Sequence, residues 1–251
     1  MDFEFKGHTA LVTGASQGIG RAIARGLASQ GVKVAVAARR TDLLRELVDD
    51  VAKRGGERPV IIEADLYAEN AAETLAAQAT AALGRVDILI NAAGGSRPIS
   101  FDATKDVWME AMVLNFFRLR ELTHAVIPGM RERNWGRIIN LTGTSEPRMI
   151  NAAFSAKAAV HAWAKGVSRE FAKHNITINS IQPGRIRSEQ IRKRYPTPES
   201  EHEFAHAEIP MGRFGEPEEL ANLAIFLASP LASYITGTVI PVDGGMYRFA
   251  F

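Results

Sequence analysis

Residues 9–20 read TALVTGASQGIG. An apolar run reaches Thr13, glycines stand at Gly14, Gly18 and Gly20, and an alanine-rich stretch with helical spacing follows over about 19–30. This is the pattern of a buried strand that turns through glycine into a helix. Glycine there lets the backbone turn tightly and come close to a ligand. The free N–H groups of the helix start then face whatever the loop holds, which suits a pyrophosphate. A plain glycine-rich turn is the competing reading. The order strand, loop, helix favours nucleotide binding, with Gly14, Ser16, Gln17, Gly18, Ile19 and Gly20 as the cradle.

The same alternation continues to the end of the chain. VKVAVAAR (32–39), PVIIEADL (59–66), VDILINAAG (86–94), RIINLT (137–142), TINSIQPG (177–184) and TVIPVDGG (238–245) read as strands. Helical patterns cover 42–53, 107–133, the segment holding Lys157, and 216–227. An irregular polar region follows Pro183-Gly184. Short apolar strands alternating with helices predict an α/β fold, a Rossmann-like doubly wound parallel sheet of about seven strands with helices on both faces. Such sheets bind ligands at the carboxyl ends of their strands, where strand order reverses. No repeat or linker divides the 251 residues, so one domain is expected over 1–251.

Composition narrows the function classes. A net charge of +2 gives no footing for nucleic acid, despite a pI near 9.0. The absence of cysteine excludes disulfides, thiolate metal sites and cysteine nucleophiles, fits a cytoplasmic setting, and no metal site is expected. The first residues, MDFEFKGHTALVTGA, predict no signal peptide. Residues 220–242 carry no charge, but Asn222, Pro230 and Gly237 punctuate them as helix, turn and strand, so no membrane span is expected.

The loop T-G-A-S-Q-G-I-G resembles the T-G-x-x-x-G-I-G signature of the short-chain dehydrogenases/reductases. Asp87 to Gly94, D-I-L-I-N-A-A-G, is similar to that family's D-x-L-V-N-N-A-G segment, with Ala92 in place of the second asparagine. Pro183-Gly184 resembles its P-G motif and Val242-Asp243-Gly244-Gly245 its V-D-G-G. The resemblance, which includes similarity to 3-oxoacyl-carrier-protein-reductase-like members, implies a nicotinamide dinucleotide cofactor, a small carbonyl or alcohol substrate and a homotetramer. It places Asp65 and Leu66 by the adenine, Asn91, Ala92 and Gly94 along the adenosine ribose, and Pro183, Gly184 and Ile186 beside the nicotinamide. The second strand ends at Ala38, with no acid to repel a 2′-phosphate. Arg39 and Arg40 follow, and a guanidinium can pair with that phosphate, so NADP(H) is expected ahead of NAD(H).

The catalytic set is incomplete. By resemblance, Lys157 matches the family's lysine and Asn115 its asparagine. The tyrosine of Y-x-x-x-K falls on Ala153, and the serine on Gly143. Phe154 is about 100° around the helix from Ala153 and has no ionisable group. Thr142, Thr144 and Ser145 offer hydroxyls nearby. Thr144 is the candidate to orient a carbonyl, against the alternative of a turn hydroxyl bonded to its own backbone. Tyr195, Tyr247, His202 and His206 are further donors in sequence, each read first as a lid or surface residue. The expected lid, about 185–213, begins with the cations Arg185, Arg187, Arg192, Lys193 and Arg194. These would attract an anionic substrate, or else form a solvated face balanced by nearby glutamates.

Three functions stay open from the residues. One is an NADP(H)-dependent oxidoreductase with a non-standard proton donor. Another is a cofactor-holding subunit or sensor. The third is a lyase or isomerase that reuses the pocket.

Overall fold

The computed structural model describes residues 3–144 and 146–249. Seven strands form one parallel sheet: β1 (Thr9–Thr13), β2 (Lys33–Ala38), β3 (Val60–Glu63), β4 (Ile88–Asn91), β5 (Gly136–Leu141), β6 (Ile176–Pro183) and β7 (Val239–Val242). Their order is β3-β2-β1-β4-β5-β6-β7. The chain runs outward from β1 through β2 to β3, then returns to pair β4 on the other side of β1. That reversal opens a crevice between the carboxyl ends of β1 and β4.

Both faces of the sheet are buried, and the strand sequences show why. In β1, Ala10 and Val12 face one core while Leu11 faces the other; in β4, Ile88 and Ile90 divide from Leu89 in the same way. Apolar residues at consecutive positions therefore supply two cores, as a sheet covered on both sides requires. One face is covered by α1 (Gly18–Ser29), α2 (Thr41–Lys53) and α9 (Pro217–Ala228). The other is covered by α3 (Ala71–Leu83), α5 (Arg118–Glu132) and α6 (Ala152–Phe171), with α4 (Lys105–Met112) leading into α5.

The helix expected over 107–133 is not continuous. Between α4 and α5, Val113–Phe117 forms a π turn. Asn115, at its centre, donates its side-chain amide to the Ala111 carbonyl at 2.9 Å. That carbonyl would otherwise take the Asn115 backbone N–H, so the side chain displaces the normal helical bond and widens the turn.

A second correction concerns the region after β6. It is not irregular: it holds α7 (Glu189–Arg194) and α8 (Pro198–Glu208). The Ser188 hydroxyl caps α7, and Thr197 and Ser200 cap α8 reciprocally, with Pro198 at its first position. Ala205, Ile209 and Phe214 form a small core of their own under α8, joined by Tyr195 and Phe204. Among the described residues, no helix is long and apolar enough to cross a membrane.

Candidate active site

The crevice at the β1/β4 reversal has a volume of about 670 Å³. The glycine loop forms its floor. Gly14 has φ +64°, and a β-carbon there would lie 2.8 Å from the backbone of Ala92 and Ala93. At Gly20 a β-carbon would meet the Gly14 carbonyl at 2.5 Å, so the first turn of α1 can pack directly on the loop. Thr13 ties the two sides together: its hydroxyl accepts the N–H groups of Ala92 and Ala93, both at 3.1 Å. Thr13 was not singled out in the sequence, although it precedes the first glycine.

Of the residues expected around a dinucleotide, the crevice is lined by Gly14, Ser16, Gln17, Gly18, Ile19, Gly20, Arg39, Arg40, Asp65, Leu66, Ala92, Gly94, Lys157 and Pro183. Three others lie elsewhere. Asn91 is buried, and its amide donates to Asn140 Oδ1 (2.9 Å) and Thr123 Oγ1 (3.2 Å) in the core. Gly184 packs on Asp243, where a β-carbon would come within 2.5 Å of Asp243 Cα. Ile186 is buried and bridges to Gly215. These two root the lid on Asp243, just after β7, and on Gly215, just before α9.

The two arginines at the end of β2 differ in partner. Arg40 pairs with Glu189 of α7 at 3.1 Å. Glu189 also takes Lys193, and these two cations hold its carboxyl down to about 2. Arg39 has no carboxylate partner among the described residues; its guanidinium lies 5.8 Å from the Tyr67 ring centre. Tyr67, which lines the same crevice, carries no motif that would have marked it. Its hydroxyl pKa is raised, first by burial and then by Glu110.

At the inner end, Asn151 starts α6: its side-chain oxygen accepts the Ala153 N–H at 3.0 Å, and its amide donates to Ser96 Oγ at 2.9 Å. Lys157 follows, and its Nζ donates to the Thr142 carbonyl at 3.2 Å. Burial lowers the ammonium from its ordinary 10.5 to about 8. The Thr142 hydroxyl in turn donates to the Ile181 carbonyl at 3.1 Å and meets His161 Nε2 at 2.8 Å. Burial also lowers the His161 pKa. Lys157 and His161 share one face of α6 because they are four residues apart. His161, which no motif marked, therefore braces the threonine that holds the lysine.

Asn115 and Lys157 converge. A β-carbon on Gly94 would lie 3.0 Å from Asn115 Oδ1 and 3.7 Å from Lys157 Nζ, and the Gly95 N–H donates to Asn115 Oδ1 at 3.2 Å. Ala153 is buried and opens, with Asn115 and Asn151, on a separate cavity of about 180 Å³. Gly143 leaves room for the lysine: a β-carbon there would sit 3.1 Å from Lys157 Cδ.

Thr144 is not in the crevice. It faces a smaller cavity beside Phe154 and Tyr247, and its hydroxyl accepts the Glu146 N–H at 3.0 Å, the turn bond weighed against the catalytic reading. Ser145 lies outside the described residues. Tyr195 packs on Phe204 and Phe214, and His202 and His206 are exposed on α8.

A family model described as Enoyl-(Acyl carrier protein) reductase matches residues 14–247. The 3-oxoacyl-[acyl-carrier-protein] reductase FabG of Aquifex aeolicus is 32% identical, over 98% of this chain and 100% of its own. A crystal structure of the 3-oxoacyl (acyl-carrier-protein) reductase of Agrobacterium tumefaciens C58 with NADP bound superposes with a TM-score of 0.91 at 30% identity, covering 97% of this chain and 95% of that one. A 7α-hydroxysteroid dehydrogenase complexed with NADH and 7-oxo glycochenodeoxycholic acid gives a TM-score of 0.91 at 34% identity, covering 97% and 96%. A sheet of this order, a glycine cradle at its reversal and similarity along nearly the whole chain have one common explanation: the protein belongs to the short-chain dehydrogenase/reductase family of nicotinamide-dinucleotide-dependent oxidoreductases.

Proposed function

We propose that the protein is an NADP(H)-dependent oxidoreductase that interconverts a small carbonyl compound and its alcohol, with Lys157 holding the proton that a tyrosine would otherwise supply. The observation that carries this reading is the convergence of the Lys157 ammonium and Asn115 Oδ1 beside Gly94, at the inner end of the crevice. The residues present fit the dinucleotide. Gly14 and Gly20 let the loop pack directly on the Ala92–Ala93 backbone and the first turn of α1, the start of α1 offers N–H groups to the pyrophosphate, and Arg39 is left for a 2′-phosphate. Bound there, the dinucleotide supplies or accepts hydride at the substrate's carbon.

The protein's own groups do the rest. Lys157 Nζ keeps its proton near neutral pH, and the Thr142 carbonyl fixes its position. In the reductive direction that proton neutralises the developing alkoxide, either directly or through a water held by Asn115. Ala153 and Gly143 contribute no donor, so the reaction lacks a positioned phenol and serine hydroxyl. The lid over about 185–213, organised by α7 and α8, closes the substrate side, and a homotetramer is the expected assembly.

The test is NADPH oxidation by purified protein against ketones, oxo acids and quinones, with deuterium-labelled NADPH to follow hydride into the product. Slow but measurable transfer is expected. Ala153→Tyr, whose ring has the adjoining cavity to enter, should raise reduction by about 10²–10⁴-fold. NADPH binding with no consumption in either protein would favour the cofactor-holding subunit instead.

A further inference from the structure

The five lid cations are not equivalent. Arg187 pairs with Glu201 and Glu216, and Lys193 with Glu189. Arg192 and Arg194 are both exposed on α7, and only Arg194 of the two reaches the smaller cavity. Arg185 and Arg194 differ: both line the smaller cavity, about 90 Å³, that adjoins Phe154, and neither has a carboxylate partner among the described residues. The Arg185 guanidinium stacks 4.9 Å over the Phe204 ring, and its Nε is shielded from solvent with no acceptor. That Nε is closed even to water, so a ligand in the cavity would engage the terminal guanidinium nitrogens of Arg185, which have no hydrogen-bond acceptor among the described residues. Arg194 donates to the Met149 sulfur at 3.9 Å and lies 5.9 Å from the Tyr195 ring centre.

The other charges on this cavity do not serve these two. Arg148 pairs with Glu208 at 2.5 Å. The Glu146 carboxylate accepts the Arg248 N–H at 3.1 Å, and Asp243 accepts the N–H groups of Gly245 and Tyr247 at 2.9 and 2.8 Å. Both acids are thus engaged in folding the C-terminal turn. The cavity also lies next to the reacting centre. Phe154 Cδ1 is 3.9 Å from the β-carbon position of Gly143, and Lys157 Cδ is 3.1 Å from that same point. Its volume, about 90 Å³, gives room for a small anion.

We propose that Arg185 and Arg194 bind a carboxylate on the substrate, so that the compound turned over is a short oxo acid or the corresponding hydroxy acid. This rests on the oxidoreductase reading above for the reaction, but not for the binding. Guanidinium groups suit a carboxylate because they donate paired N–H groups in its plane.

The experiment measures binding of 4-oxopentanoate, its methyl ester, and a phosphate monoester of similar length to NADPH-saturated protein by calorimetry, alongside NADPH oxidation with each. The acid is expected to bind about 10- to 100-fold more tightly than the ester, the worth of a charge-assisted hydrogen bond. Arg185→Met and Arg194→Met should each abolish that preference while leaving NADPH affinity unchanged, and Arg185→Lys should restore part of it. Equal binding of acid and ester by the unaltered protein would overturn the proposal without any variant, as would acid preference persisting in Arg185→Met. Tighter binding of the phosphate monoester would overturn the carboxylate assignment. Oxidation of NADPH by neutral ketones alone would sink this proposal and keep the oxidoreductase reading. Acid-selective binding without NADPH oxidation would do the reverse.

Discussion

In the proposed function Lys157 carries the proton, and its environment makes a signed prediction. Its ammonium is lowered by burial to about 8, against an ordinary 10.5. Between those values the unfolded chain binds more protons at this position than the folded one, so this group's effect on stability becomes more favourable as pH rises through that window. Below about pH 8 the cost of a buried charge is fully present. Lys157→Met should therefore be more stable than the parent near pH 7 in urea denaturation, with the difference shrinking toward pH 10.5. The same substitution should abolish carbonyl reduction, and in the parent protein reduction should fall as pH rises above about 8, when the donor proton is lost. A flat rate profile across that range would remove Lys157 from the donor role. The lysine itself was legible from S-A-K-A-A-V. Its bond to Thr142, and the brace from His161, were not, because those partners come from the loop just after β5 and from one helical turn further along α6.

Among the secondary-structure elements, β5 depends on an unusual buried cation. Arg137 is almost fully buried, lies 4.5 Å from the Trp135 ring centre, and donates to the carbonyls of Gly136 and Asn175 (both 2.9 Å) and Ser229 (3.2 Å). Burial lowers its pKa to about 10, still far above neutrality, so it stays charged. It joins β5 to the turn before β6 and to the end of α9. Arg137→Met should lower unfolding stability by about 2–4 kcal/mol, since three shielded carbonyls lose their donor. An unchanged urea midpoint would show that water replaces the guanidinium. The interrupted helix at Asn115 belongs here too. Periodicity predicted one helix over 107–133, because the apolar spacing barely changes across a π turn. The widening comes from a side chain competing for one backbone carbonyl, which a periodic pattern does not record. Likewise α7 and α8 were read as irregular because they are short and polar, although T-P-E-S at 197–200 carries a capping signal.

For the whole molecule, cofactor binding and folding are linked. NADPH at about 100 times its Kd should stabilise the fold by about 2.7 kcal/mol, visible as a rise in Tm. NADH at the same concentration should raise it less. Arg39→Ala should narrow that gap by weakening NADPH about tenfold or more while leaving NADH nearly unaffected. Equal losses for both cofactors would place Arg39 against the adenine face and away from a 2′-phosphate. Assembly is tested separately: a homotetramer should scatter light as about four times the 27.4 kDa chain. The sheet leaves β7 at an open edge and Tyr234 fully exposed nearby, which gives such an interface somewhere to form.

The α/β class, the parallel sheet and the glycine cradle can all be read from the chain alone, because each is written in residues a few positions apart: alternating apolar runs and glycine spacing. Folding alone decided that Asn91 turns into the core, and that Arg187 is paired while Arg185 and Arg194 have no carboxylate partner among the described residues. Those outcomes depend on residues from distant segments meeting at the carboxyl edge of the sheet. Which cation finds a carboxylate there is a matter of three-dimensional distance, and the order of residues along the chain does not contain it.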